Sequence, residues 1–226
     1  MVVIPRLLLA ALFVLPLWSA RAFGPSPALA LCESAIESAE ITARLPPRLL
    51  GAIAVVESGR LDPQTGTIRP WPWTINAEGA GQFFPTKAKA IAAVRTLQAQ
   101  GVRSIDVGCM QINLLFHPDA FPSLEAAFDP AANTGYAARF LNGLYSDGRD
   151  WARAIGAFHS LTPVLADGYR TLVMARWQSP SLARTEMAHS AYRDFVAPTS
   201  IYSPTAAYAA FADPTRVYAA FARRKY

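Results

Sequence analysis

Helix-opening signals recur along this chain at short intervals, and they constrain its fold more than any other feature. Thr86 precedes an Ala-rich run that stops at Gly101. Asp129-Pro130, Asp150 and Thr162-Pro163 each put a capping side chain, with or without proline, where the first N–H groups of a helix lack partners. Glu33 to Arg44 reads as a helix that follows Cys32 and halts at Pro46-Pro47, and Pro47 suits the start of a second helix running to Ser58 and Gly59. The spacing predicts further helices from Pro130 through Leu144, from Asp150 to near Phe158, and from Pro163 through Trp177. Two stretches break the helical period. Trp71, Trp73 and Ile75, the turn signal Asn76 to Gly81, and Gln82-Phe83-Phe84 read as a hairpin, and Ser104 to Asn113 reads as strand or irregular chain. His117-Pro118-Asp119 looks like a loop before a short helix. The expected class is α+β, dominated by helices, with a small β-hairpin lobe.

Of 226 residues, 52% are hydrophobic and 16% charged, enough apolar mass for a sizeable core. The net charge of +5 comes mostly from arginine, and the one block of like charge is Arg223-Arg224-Lys225, so nucleic-acid binding has little support. Two Cys and three His, far apart, match no usual metal-ligand spacing. Gly79-Ala80-Gly81 lacks the third glycine of a dinucleotide fingerprint. Neither a metal nor a cofactor is therefore expected.

Residues 1–22 read as a secretory signal peptide. Arg6 supplies the positive end, Leu7 to Trp18 form a 12-residue apolar run, and Ala20-Arg21-Ala22 fits a cleavage site. At about 1.5 Å per residue that run reaches about 18 Å, short of a bilayer core of about 30 Å, so no membrane span is expected after cleavage. In an oxidising compartment Cys32 and Cys109 read as a disulfide, with two buried apolar thiols as the alternative. Residues 23–178 would form one domain. Residues 179–226 are rich in Pro, Ala and Tyr and carry Tyr-Ala-Ala-Phe-Ala twice, at 208–212 and 218–222. They read as a partly disordered tail, either a linker or a docking peptide for a partner, with a short helix conceivable over 184–195.

Glu57 ends an apolar helix, where the negative end of the helix dipole and apolar neighbours both favour the protonated carboxyl. That suits a general acid near neutral pH, although an exposed glutamate in a last turn is commonplace.

From Leu49 to Trp177 the chain resembles the soluble lytic transglycosylase family, bacterial lysozyme-like enzymes that cleave peptidoglycan. The resemblance rests on Glu57-Ser58 and Gly108-Cys109-Met110-Gln111-Ile112-Asn113. It continues through Asp129-Pro130 with Asn133, Ala154 to Ser160, and Tyr169. It implies a lysozyme-like fold with Glu57 as the single catalytic acid/base. Ser58 would help orient Glu57 or the substrate, and Tyr169 would lie close to Glu57. Gly108, Met110, Gln111, Asn113 and His159 would line or bind the glycan with them, with Gly108 allowing close backbone approach. It further implies glycan strands as partner, a periplasmic location, and a 1,6-anhydromuramyl product. Phe158 and His159 stand where commoner members carry Tyr and Asn. The long segment around Pro70 to Asn76 resembles variants linked to flagellar or secretion assemblies, to which the tail would dock. Trp71, Trp73, Phe83 and Phe84 would either stack on sugars or pack the hairpin core, and packing is expected for at least two. Two other readings stay open: a muramidase using Asp106 and water, and a glycan-binding assembly module.

Overall fold

The computed structural model describes residues 27–178. The predicted signal peptide and tail lie outside them. Seven helices and six short strands form two packed lobes among the described residues.

The helical lobe begins with α1 (Pro27–Ala43), which places Cys32, Ile36 and Ala39 on one buried stripe. It is already helical at Pro27, six residues before the predicted Glu33. α2 (Leu49–Ser58) is the central helix, with Leu49, Leu50, Ile53 and Ala54 fully buried. It begins two residues past Pro47, since Arg48 takes a left-handed conformation at the cap (φ 68°). Its first N–H groups are satisfied from a distance. The Glu40 carboxylate of α1 accepts from the Arg48 and Gly51 amides, each at 3.0 Å. α5 (Pro130–Gly148) lies along α1, and Asn142 Nδ2 donates to the Ala43 carbonyl at 2.7 Å. α6 (Trp151–His159) and α7 (Pro163–Gln178) complete the lobe, with Gly156 letting α6 approach the Ala166 backbone of α7 closely. The predicted caps hold at two of these starts, Asp129 and Asp150, and Thr86 likewise caps the helix that opens at Lys87; each accepts from amides of the first turn.

The second lobe is an antiparallel sheet in the order β4-β3-β5-β6, from β3 (Thr74–Ala77), β4 (Ala80–Phe83), β5 (Ile105–Val107) and β6 (Ile112–Asn113). Glu78 and Gly79, both at positive φ, make the tight two-residue turn between β3 and β4. α3 (Lys87–Ala99) and the short α4 (Leu124–Ala127) pack Ala90, Ile91, Val94 and Ala127 against Ile75, Ile105 and Val107. Against α1 and α2 packs a hairpin that the sequence reading missed, β1 (Gly59–Leu61) and β2 (Ile68–Pro70). Its strands are too short to show alternation. Asp62 folds its turn by accepting from the Gln64 amide and the Thr65 hydroxyl, and Arg69 ties it to Asp62 and to Glu33 of α1.

Trp71, read as part of the hairpin, lies outside β3, which begins at Thr74. It is buried against Ala28 and Leu29 of α1, and its indole N–H donates to the Phe84 carbonyl at 2.7 Å. Trp73 and Phe84 also pack into core clusters, while Phe83 stands 44% exposed, so the expectation that at least two of the four aromatics are core holds.

Candidate functional site

Glu57 sits in the last turn of α2, where the helical lobe meets the sheet. Tyr169 reaches it from α7: the phenol O–H donates to Glu57 Oε1 at 2.6 Å. Burial pushes the Glu57 carboxyl up to about 8. The Tyr169 hydrogen bond pulls the other way, and the Asp106 charge pushes further up. Tyr169 is itself buried, which with the neighbouring Glu57 lifts its phenol well above its ordinary range and keeps it a donor. Its ring stacks on His159 at 4.6 Å between centroids. Burial lowers His159 to about 4, so the imidazole is neutral at physiological pH. Phe158, next to it, is buried against Phe140 in the helical core.

The other wall is the loop between β5 and β6, and most of the residues the resemblance marked there hold the loop in shape. Ser58 is fully buried, and its hydroxyl donates to the Cys109 carbonyl at 2.7 Å, fastening the residue after Glu57 to the loop. The Cys32–Cys109 disulfide ties the same point to α1, as one of the two readings of the cysteines expected. Three placements show what these residues touch within the protein. Met110 is fully buried in the helical core and offers no side-chain surface to a glycan. Ser58 is likewise enclosed and reaches only backbone carbonyls, those of Ala54 and Cys109. Gly108 is needed for its φ of +83° and for Asn133, whose Nδ2 would lie 2.5 Å from an added Cβ; the close approach is made by protein.

Asn133 is the residue whose role went unread. Fully buried on α5, it accepts from the Met110 amide at 2.9 Å and donates to the Val107 and Ala127 carbonyls, both at 3.0 Å. The only hint was its place in the Asp129-Pro130 motif. Gln111, at φ 45°, donates its amide to the Gly108 and Thr74 carbonyls. Asn113 donates to Asp106 Oδ1 at 2.7 Å and to Ser104 Oγ, and accepts from the Leu115 and Phe116 amides. Asp106 and Asn113 are cross-strand partners. Burial raises Asp106 to about 7 against the opposing Asn113 hydrogen bond. Among the described residues no cluster of His, Cys, Asp or Glu could hold a metal ion.

A half-buried acid at the end of a central helix, beside a small antiparallel sheet, defines a lysozyme-like fold. The family comparison agrees: the Transglycosylase SLT domain matches residues 34–162. The chain belongs to this family of lytic transglycosylases acting on peptidoglycan. No curated protein and no solved structure matches it. Tyr169 lies beyond the matched span, so the phenol that grips Glu57 comes from outside it.

Proposed function

We propose that Glu57 is the single acid/base of this lytic transglycosylase. The observation that carries the reading is the Tyr169 hydrogen bond to Oε1 of a carboxyl held near 8. With Oε1 occupied, the proton resides on Oε2, free to be given away. Glu57 donates it to the bridging oxygen of the N-acetylmuramyl–N-acetylglucosamine bond as C1–O breaks and positive charge develops on the muramyl ring. The muramyl C6 hydroxyl then attacks C1, and the Glu57 carboxylate takes its proton back. The product is a 1,6-anhydromuramyl end, and no water is consumed. His159, Gln111 and Asn113 line or support the sugar-facing side, and His159 acts as a neutral ring.

A hydrolytic outcome needs a second carboxylate ionised to activate water. Asp106, raised to about 7, is half protonated at neutral pH and increasingly neutral below it, which favours the anhydro product in mildly acidic surroundings. An extracytoplasmic, periplasmic setting is supported by the leader-like residues 1–22 and by a disulfide that persists only in oxidising surroundings. Residues 23–178 would be the catalytic domain. Local opening of the wall for a flagellar or secretion machine, with residues 179–226 engaging one of its proteins, extends the same reading.

Mass spectrometry of soluble products from purified peptidoglycan tests it, comparing oxidised residues 23–226 with Glu57→Gln. Products lighter by one water than the hydrolytic fragments, absent with Glu57→Gln, are expected. Products that retain the water would transfer the chemistry to Asp106, and release undiminished by Glu57→Gln would end the assignment of Glu57.

A further inference from the structure

A groove of about 630 Å³ runs between α1, α2, β2 and the last turn of α7. Its α2 lining of Arg48, Gly51, Ala52 and Val55 falls at i, i+3, i+4 and i+7, one face of the helix. Glu57, two residues past Val55, lies about 200° round the helix from it, so this groove is not the glycan site. Its floor is apolar, with Ile36, Leu45, Val55 and Ile68, and Ile41 stands 72% exposed at its edge.

The charged rim is partly accounted for. Glu33 is held by Arg69, and Glu40 caps α2. Arg176 is different: its Nη1 is buried and has no hydrogen-bond partner. A guanidinium N–H withdrawn from water without an acceptor is unfavourable, and it marks where an acceptor belongs. Arg176 is also two residues short of Gln178, the last described residue, so the chain leaves the domain at the lip of this groove.

In the sequence that follows, Ser179-Pro180 is a combination that disfavours helix. Beyond it, Met187, Ala188, Ala191, Tyr192 and Phe195 recur at helical spacing, and Glu186, His189, Ser190 and Arg193 fall opposite, with Asp194 bordering the apolar side. We propose that residues 184–195 fold back in cis as an amphipathic helix, seating Met187, Ala191 and Phe195 in the groove and bringing the Asp194 carboxylate to Arg176. The link from Gln178 to residue 184 spans up to about 20 Å, ample for the return. A tether that short holds the segment at an effective concentration in the millimolar range, which favours it over a second copy or a separate protein. Once seated, the segment braces α2 against α1 and β2, stiffening the helix that carries Glu57.

A photo-crosslinking benzophenone residue in place of Ile41, in the full oxidised chain, tests this directly. Ile41 is 72% exposed, so its replacement leaves the core intact. The expected result is an intramolecular adduct, in monomeric protein, that maps by mass spectrometry to residues 184–195. It should fall about tenfold with Phe195→Asp, as loss of one buried aromatic anchor requires. The same probe at exposed Thr42, which does not line the groove, should give little adduct. An adduct to residues 208–222 or to a second copy, no adduct at all, or equal yields from positions 41 and 42 would each overturn the proposal.

Discussion

Replacing Cys32 and Cys109 together by alanine removes a covalent tie across 77 residues of chain. In the loop-entropy treatment a cross-link of that span lowers the entropy of the unfolded chain by about 15 cal/mol/K, or about 4.5 kcal/mol at 25 °C. Residual structure in the unfolded chain trims this, so a loss of about 3–4.5 kcal/mol is expected, a large part of the 5–15 kcal/mol typical of a domain. With a urea slope of roughly 2 kcal/mol/M, the midpoint should fall by about 2 M. Both sulfurs are buried at the junction of α1 with the site loop, and the Cys109 carbonyl accepts the Ser58 hydroxyl. Turnover should therefore fall with stability, well before the protein unfolds. The assay is urea unfolding followed by tryptophan fluorescence, with and without reductant, for the native chain and the double variant. Reduction should move the native midpoint onto that of the variant and leave the variant unmoved. If the native midpoint stays put while thiol labelling shows complete reduction, the tie contributes nothing and the argument fails.

Further expectations concern the site. Glu57 is raised from 4.5 to about 8 by folding, so its ionisation opposes the folded state increasingly as pH climbs from 4.5 to 8. Glu57→Gln should abolish activity yet add about 1–3 kcal/mol of stability at pH 7, a gain that vanishes at pH 4; thermal melts at the two pH values read it. Tyr169→Phe removes the bond that lowers Glu57, moving the alkaline limb of the pH–rate profile up, whereas Asp106→Asn removes a charge that raises it and moves that limb down. Shifts of the same sign in both variants would contradict this electrostatic picture. Gly108→Ala meets both a left-handed backbone and Asn133, and should cost about 2–4 kcal/mol in denaturant unfolding.

Local chemistry was legible in the sequence and distant chemistry was not. Caps such as Thr86, Asp129 and Asp150 act within a turn of themselves, so their helices could be read directly. The cap of α2 is Glu40, eight residues back on another helix, and nothing local signals it, which is why the start was placed at Pro47. The family motifs marked which residues matter around Glu57 but not which way they face. Met110, Ser58 and Gly108 all shape the loop beside Glu57, and a motif does not distinguish a residue touching substrate from one holding a loop. Asn133, which stitches three backbone groups, was visible only as the opening of a helix. A sidedness of that kind comes from packing between segments, and only the assembled fold supplies it.

Glu57 and the tyrosine that grips it are 112 positions apart. A chain emerging from its N-terminus completes the acid early and its partner last, after a further interval of about 6–20 s at ordinary synthesis rates. Until α7 docks, Glu57 lacks the phenol that fixes its proton. A truncated or half-made copy would carry every motif of the family span and still be chemically blunt. Competence to cut the wall thereby becomes a certificate that the domain was finished.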